Sequence, residues 1–332
     1  MTIDELKELK PRIERLNELR AQIAEIEGRD MLSDADFSRR FLPFSSTTWS
    51  KLQSGTYGGG FETISQRLDD AIADVEGRLP NLESAAATRR AFRRTTLARA
   101  VLAALSAARE GLDDRRVVVV LAPTGGGKTA IRDYLASRNA VCVEGRQAWR
   151  NSYRAFCLDV ARAAGRKLPS TMAEFRIEEE MLAALRAKPR VLYIDEANTM
   201  SAQCANAIKL IVNETECCVV IAAIPELWDR FLAGSVQEAA QLVNRCQPIL
   251  RAPKISAADA KLFLSPKALS VSGAAQKVAA AANAFGGYRT VLAIDAALSE
   301  CDAPGEDDLD AALARQRNNL AAAGLGAMKT EY

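Results

Sequence analysis

Four consecutive β-branched residues, Val117 to Val120, run directly into the segment Leu121-Ala122-Pro123-Thr124-Gly125-Gly126-Gly127-Lys128-Thr129. A strand that feeds a glycine-rich loop and then the helix-compatible segment IRDYLASR is the context that a phosphate-binding loop requires. The glycines let backbone N–H groups converge on phosphates, Lys128 can reach the β- and γ-phosphates, and the Thr129 hydroxyl can hold Mg²⁺. The segment therefore predicts a nucleoside triphosphate site over Thr124 to Thr129. Ala122 stands where the full pattern has glycine, and the alternative is a glycine-rich turn with a chance lysine.

A second apolar run, Val191 to Ile194, ends in the carboxylates Asp195 and Glu196. This arrangement is typical of a Walker B strand, in which Asp195 holds the metal ion and Glu196 orients and activates the attacking water. The alternative is an ordinary strand that ends in a solvated acidic turn. Because the chain contains no histidine, general-base chemistry falls to a carboxylate and histidine metal sites are excluded.

Length and composition indicate a helix-rich chain of about two domains, with 332 residues and 48% hydrophobic content. No apolar run approaches the ~20 residues that span a bilayer. The charged N-terminus MTIDELKELK lacks the apolar core of a signal peptide, and seven cysteines without C-x-x-C spacing are expected to be reduced thiols. These features predict a cytoplasmic protein that does not associate with membranes.

Local charge is more informative than the formal net charge of +2. No acidic residue lies between Glu83 and Glu110, whereas six arginines do. On a continuous helix, arginines four positions apart form one basic face suited to phosphates. The alternative is a solvated helix surface beside a linker. The arginines are Arg89, Arg90, Arg93, Arg94, Arg99 and Arg109.

The first sixty residues predict helices. Apolar residues at spacings of three and four over 3 to 26 indicate an amphipathic helix or helix pair, interrupted by Pro11, which either forms a short coiled coil or packs on its own domain. Two short helices then follow, DADFSRRF and Ser45 to Gln53, in a helix-turn-helix pattern. Phe37, Phe41, Trp49 and Leu52 are expected to bury the pair. Four polar residues would face a DNA major groove unless the pair is a helical hairpin that binds nothing: Ser46, Thr47, Thr48 and Lys51.

Beyond a turn at 56 to 60, a helix at 62 to 76 and the connector, strands and helices alternate up to residue 252, with further strands expected at Val141 to Glu144 and Cys217 to Ala223. This order predicts an α/β fold with a largely parallel sheet covered on both faces. The alanine-rich segment after Pro253 predicts a small all-α lid. We therefore expect residues 1–80 to form a helical DNA-binding domain, 81–115 a basic connector, 116–252 the nucleotide-binding domain, and 253–332 the lid and C-terminal tail.

These motifs, in this order, resemble AAA+ ATPases of the DNA-transposition type, the target-DNA activators of Mu-like transposing phages. SDADFSRRFLPFSSTTWSKLQSG resembles their DNA-binding module, APTGGGKT their Walker A motif, and VLYIDEAN their Walker B motif. The resemblance implies an AAA+ P-loop ATPase with ATP and Mg²⁺ as cofactors. It also implies self-assembly into a helical filament or ring on double-stranded DNA, largely independent of sequence, and delivery of that DNA to a transposase.

By position, Arg245 matches the arginine finger of this family and Arg289 matches the lid arginine called sensor 2. Either could instead be a surface residue. One position departs from the family, because Ala222-Ala223-Ile224-Pro225 stands where a polar sensor 1 residue usually ends the strand. Hydrolysis is then expected to be slow, unless a nearby polar group substitutes.

Three arginines at intervals of four, Arg146, Arg150 and Arg154, are candidates for contacts to the DNA backbone, with a solvated basic helix face as the alternative.

Three other classes of function are also compatible with the sequence. A helicase loader would share the ATPase core and bind a helicase, and a nucleotide-gated transcription regulator would protect a single operator. A small-molecule kinase would use the phosphate loop without DNA.

Overall fold

The computed structural model describes residues 2–27, 31–110, 116–169, 171–188, 190–197, 200–226, 228–229 and 246–322. The chain divides into two compact units, with the division between Ala91 and Phe92. We number helices and strands in chain order among the described residues.

The N-terminal unit begins with a long helix, α1 (Ile3–Glu27), that continues through Pro11. The expected interruption at Pro11 is therefore wrong. Apolar burial accounts for this, because residues on both sides of the proline pack into the unit and offset its missing hydrogen bond. Arg12 and Arg15 also form ion pairs with Asp69 and Glu76, each at 2.7 Å. The fully buried residues of α1 are Leu9, Leu16, Leu19 and Ile23, so its apolar stripe packs on its own unit.

Two short helices follow, α2 (Asp34–Phe41) and α3 (Ser46–Gln53). Each begins at a serine that caps it: the Ser33 hydroxyl accepts from the Asp36 N–H, and the Ser45 hydroxyl accepts from the Thr48 N–H. Serine at this position satisfies a helix N–H that would otherwise lack a partner. The expected burial of the pair is confirmed, since the buried residues include Phe37, Phe41, Trp49 and Leu52.

The fourth helix, α4 (Phe61–Ala91), is twice as long as expected and contains Pro80. The region expected to be a connector, 81–115, is also different in the structure. It contains the end of α4 and a further helix, α5 (Thr96–Glu110). Leu97, Val101 and Leu105 of α5 are buried in the same cluster as Val118 and Val120 of the central sheet. Residues 96–110 are thus a core helix of the second unit.

The second unit is built on a five-stranded parallel sheet with the order β2-β3-β4-β1-β5. The strands are β1 (Val117–Leu121), β2 (Val141–Glu144), β3 (Val191–Asp195), β4 (Cys218–Ala223) and β5 (Cys246–Arg251). Sequence patterns predicted the first four; β5 is an edge strand that contains Pro248, and it was not predicted. Because β1, β4 and β3 run parallel, the loop after β1 and the carboxylates after β3 lie at the same edge of the sheet.

Helices cover both faces of this sheet, as expected for parallel strands. Alternate residues of β1 point to opposite sides. One face packs against α7 (Tyr153–Ala163), α8 (Glu174–Ala187) and α9 (Ala202–Glu214), and the other against α5 and α6 (Lys128–Ala136). A single turn of 3₁₀ helix, Gln147–Arg150, precedes α7.

The C-terminal part of this unit has an apolar core of its own, which includes Val278, Val291 and Leu298. The predicted all-α segment is confirmed. Its helices are α10 (Ala257–Lys261), α11 (Pro266–Leu269), α12 (Ala274–Ala284), α13 (Tyr288–Ser299) and α14 (Glu306–Ala322). Among the described helices, none is both long and apolar enough to cross a bilayer.

Candidate nucleotide-binding site

The loop between β1 and α6 has the backbone of a phosphate-binding loop. Gly125 and Gly127 have left-handed φ angles of 78° and 93°, which glycine adopts without strain. Gly127 is the N-cap residue of α6, and no side chain caps that helix end, so the N–H groups of the first turn can receive an anion. A Cβ on Gly126 would lie 3.0 Å from the Ala122 Cβ. The alanine that departs from the sequence pattern is therefore accommodated by the glycine opposite it.

Lys128 lies in the floor of this loop and is only 6% exposed. Its Nζ donates to the carbonyls of Ala122, at 2.6 Å, and Pro123, at 3.1 Å. Burial lowers the pKa of the lysine, and the charges of Glu196 and Asp195 oppose that shift. Lys128 is therefore held beside the loop, within the field of both carboxylates.

Asp195 at the end of β3 is 2% exposed. One carboxylate oxygen accepts the Glu196 backbone N–H at 3.0 Å, and the other lies 3.3 Å from Nη1 of Arg132. Burial raises the pKa of Asp195, while the Glu196 N–H and Arg132 lower it. A buried carboxylate next to a phosphate-binding loop is a donor that suits Mg²⁺.

Glu196 has a φ of 48°, which is unusual for a residue other than glycine. Such backbone strain persists only where the surrounding structure imposes it, and it is concentrated at functional sites. The residue is half-buried, and its charge acts on Lys128. This geometry is compatible with the predicted role of Glu196 in orienting water.

Arg132 belongs to this site but was not among the expected residues. It lies on α6 and forms ion pairs with Asp195, with Glu144 at 3.4 Å and with Asp133 at 3.0 Å. The signal was available in the sequence, since a residue four positions after Lys128 lies on the same face of a helix. Its partners Glu144 and Asp195 end neighbouring strands with paired register, which only the sheet order reveals.

The C-terminal helices reach the phosphate-binding loop through Gly286, Gly287 and Tyr288. The Tyr288 N–H donates to the Gly125 carbonyl at 3.0 Å. A Cβ on Gly287 would lie 2.6 Å from the Gly125 oxygen, and one on Gly125 would lie 2.3 Å from the Gly286 oxygen. Two backbones therefore approach closely where neither has a side chain. Arg289, next along α13, is exposed, and its charge contributes to the lowered pKa of Lys128.

Substitution of Gly287 by alanine is expected to force the lid away from the loop. Its φ of 60° and ψ of −140° suit only glycine, and the new methyl would collide with Gly125. We expect a loss of ~1–3 kcal/mol, measured as a fall in the thermal unfolding midpoint of ~2–10 °C for a unit of this size. The matched control is Gly273→Ala, at φ 68° with open space around it. Equal shifts in the two variants would show that the contact with Gly125 is unimportant.

The end of β4 carries no polar side chain at the position where sensor 1 was expected. Ala222 and Ala223 are both fully buried, and the Ala223 carbonyl accepts the Ala122 N–H at 3.1 Å. The end of β4 therefore packs beneath the phosphate-binding loop and offers it no polar side chain. Arg245, the candidate arginine finger, lies outside the described residues.

The three arginines at intervals of four do not share a helix face, so the alternative of a single basic helix face does not apply to them. Arg146 precedes the 3₁₀ turn and pairs with Asp159, Arg150 ends that turn, and Arg154 lies on α7. Arg154 is half-buried and donates to the Met172 carbonyl at 2.7 Å. Trp149, which lies in the same turn as Arg150, is fully buried. Only Arg146 and Arg150 remain as exposed DNA-contact candidates.

The expected basic face over Arg89 to Arg94 is also not formed. Helix α4 ends at Ala91, so Arg93 and Arg94 follow it in a loop and cannot extend its face. The side chains of Arg89 and Arg90 lie outside the described residues.

The candidate DNA-contact residues of α3 differ in exposure. Thr47 and Lys51 are exposed, and Ser46 and Thr48 are half-buried. Thr48 Oγ1 is 3.1 Å from the Ser45 hydroxyl, so Thr48 contributes to the cap.

The sheet order and the phosphate-binding loop define a P-loop nucleotide-binding protein. Residues 109–231 match the family described as AAA domain. This part of the chain is an AAA-type ATPase domain, and the protein is an ATPase that binds nucleotide.

Solved structures with similar folds include the Aeropyrum pernix ORC1 protein in complex with DNA, with 17% identity over 70% of this chain and 67% of that chain and a TM-score of 0.44. C. elegans PCH-2 shares 12% identity over 68% of each chain, with a TM-score of 0.41. The S. cerevisiae Hsp104-ADP complex shares 15% identity over 76% of this chain and 54% of that chain, with a TM-score of 0.35. Among curated protein sequences, none matches.

Proposed function

We propose that this ATPase binds double-stranded DNA in its ATP-bound state, assembles on it, and delivers it as a target to a transposase. One observation carries the proposal: α2 and α3 form a capped helical pair with a buried aromatic core, and α3 presents Thr47 and Lys51 to solvent in a chain that also contains an AAA-type ATPase domain. The order of these parts is the one that the resemblance to transposition ATPases describes.

In this proposal the loop residues Thr124 to Thr129 bind the phosphates of ATP. Lys128 supplies positive charge, and Thr129 and Asp195 hold Mg²⁺, which screens the phosphate charge when it is bound. Glu196 holds the attacking water in line. The positive φ angles of Gly125 and Gly127 and the uncapped start of α6 support the phosphate assignment. The buried carboxylate of Asp195 supports the metal assignment.

The lid and a neighbouring subunit are proposed to complete the site. Arg289 approaches from α13, and its charge already acts on Lys128. Arg245 would reach the γ-phosphate of the next subunit, so that hydrolysis requires assembly and in turn releases the protein from DNA. With only alanines at the end of β4, turnover is expected to be slow.

The helicase-loader and transcription-regulator classes share the ATPase domain and a DNA partner. They differ from the proposed function in their other contacts, because a loader binds a replicative helicase and a regulator protects one operator. The small-molecule kinase is less well supported, because two carboxylates follow β3 in a chain with a separate helical unit that such a kinase does not use.

The double variant Thr47→Ala with Lys51→Ala tests the role of α3. We expect DNA affinity to fall at least about tenfold, because each lost base or phosphate contact costs ~1–3 kcal/mol. The measurement is fluorescence anisotropy of a labelled duplex with ATP present. The matched control is Lys10→Ala, which removes an exposed cation of α1 that pairs with Glu14. An unchanged affinity in the double variant would show that α3 does not bind DNA.

A further inference from the structure

A second basic surface lies on the ATPase unit. It comprises Arg93, Arg94, Arg99, Lys254 and Lys261, which we call the basic seam. All five side chains are exposed. They come from two segments that are distant in sequence, the approach to α5 and the approach to α10.

Hydrogen bonds join these two segments. Arg93 Nε donates to the Leu262 carbonyl at 2.9 Å. The backbone N–H and hydroxyl of Thr96 donate to one oxygen of Asp259, at 2.7 Å and 3.1 Å. The cations therefore project from one joint, where the first helix of the sheet layer meets the first helix of the lid.

Acidic residues are nearly absent from these two segments. No acidic residue lies between Glu83 and Glu110, and the only one between Arg251 and Ile294 is Asp259. Asp259 is 2% exposed and is occupied by the donors of Thr96, so it does not compensate the surface. Among the described residues, no ion pair joins Arg94, Arg99, Lys254 or Lys261 to a carboxylate.

The charge of the two units supports the same assignment. Residues 1–91 carry 13 lysines and arginines against 16 aspartates and glutamates, a formal charge of −3. Residues 92–332 carry 31 against 26, a formal charge of +5. A polyanion is thus attracted to the ATPase unit more strongly than to the helical unit.

We propose that the basic seam binds the phosphate backbone of double-stranded DNA, an inference that rests on the proposed DNA-binding function and locates its sequence-independent part. Duplex DNA is the partner favoured by these observations because the seam offers guanidinium and ammonium groups without a base-reading helix. Such contacts position DNA and carry no sequence information.

The location of the seam has a consequence for nucleotide control. Arg94 and Arg99 belong to the sheet layer, whereas Lys261 belongs to the lid, whose Tyr288 bonds to the phosphate-binding loop. A DNA backbone that contacts both parts stabilises the lid in its position over that loop. By linkage, ATP and DNA then raise each other's affinity by the same factor.

The experiment is a salt titration of DNA binding with ATP present, using Arg94→Gln, Arg99→Gln and Lys261→Gln together. Each lost phosphate contact lowers the slope of log K against log salt by ~0.9, so we expect a decrease of about 2 to 3. Affinity at about 0.1 M salt should fall roughly 10- to 100-fold. The control removes the same charge elsewhere on the unit, with Arg162→Gln and Arg176→Gln at exposed residues and Lys277→Gln, whose side chain is 40% exposed, and should leave the slope almost unchanged.

The outcomes separate the two proposals. If wild-type protein binds no DNA at any salt concentration, the proposed function itself fails. If it binds DNA and the triple variant keeps the wild-type slope, the seam is excluded while DNA binding stands. An equal decrease in the control would show that overall charge is responsible, which also overturns the seam. Arg94→Gln and Lys261→Gln as single variants repeat the test at about 0.9 each, should the triple variant fail to fold.

Discussion

The variant Lys128→Ala is expected to lose ATP binding and ATP-dependent DNA binding together. The lysine supplies the positive charge closest to the phosphate-binding loop, with Nζ hydrogen-bonded to the Ala122 and Pro123 carbonyls. Since a hydrogen bond to a charged group contributes ~1.5–3 kcal/mol, the loss of two phosphate contacts should weaken ATP binding about 100-fold or more. Isothermal titration calorimetry with ATP measures this directly.

Lys277→Ala is the matched control for that variant, because it removes an exposed lysine of the lid that pairs with Asp310 at 2.9 Å. It should bind ATP as the wild type does. If Lys128→Ala bound ATP normally, the loop over Thr124 to Thr129 would not be the phosphate site. If it lost ATP but still bound DNA to the same extent, ATP would not control DNA binding.

Glu196→Gln is expected to separate binding from hydrolysis. The amide keeps the size of the side chain but cannot accept a proton, so the catalytic rate should fall ~10²- to 10⁴-fold while ATP stays bound. DNA complexes formed with ATP should then persist. Single-turnover hydrolysis and the dissociation rate from labelled DNA are the two measurements.

Asp195→Asn provides the contrast for Glu196→Gln. It changes the buried carboxylate that ends β3, and it is expected to weaken Mg²⁺-dependent ATP binding instead of slowing hydrolysis alone. Wild-type turnover in Glu196→Gln would refute its assignment as the catalytic base. Identical behaviour of the two variants would show that the carboxylates do not have separate roles.

The nucleotide site was predictable because its residues follow apolar strands directly. Val117 to Val120 and Val191 to Ile194 are fully buried or nearly so, and strands of this kind must be parallel and central. Their carboxyl ends therefore lie at one edge of the sheet. Both the loop and Asp195 could thus be placed without knowledge of the strand order.

The contacts between distant segments were not predictable in this way. Arg132 is an ordinary helical arginine in the sequence, and it reaches Asp195 only because β2 and β3 are neighbours. The close approach of Gly286 and Gly287 to Gly125 depends on how the lid folds back.

Charge obscured α5 in the sequence. Its arginines suggested a connector, although Leu97, Val101, Leu105 and Ala108 repeat at the spacing of a buried helix face. Burial, not charge, determined the structure there. A similar error arose at Pro11, because a helix breaker was given more weight than the apolar packing around it.

The central claim is that ATP binding drives assembly of this protein on DNA of any sequence. Electron microscopy of negatively stained protein with a random-sequence duplex tests it most directly, with ATP, with ADP and without nucleotide. We expect continuous filaments or rings on DNA with ATP, and none with ADP or without nucleotide. Discrete particles under all three conditions, or binding confined to one particular sequence, would contradict the claim and favour the loader or regulator class.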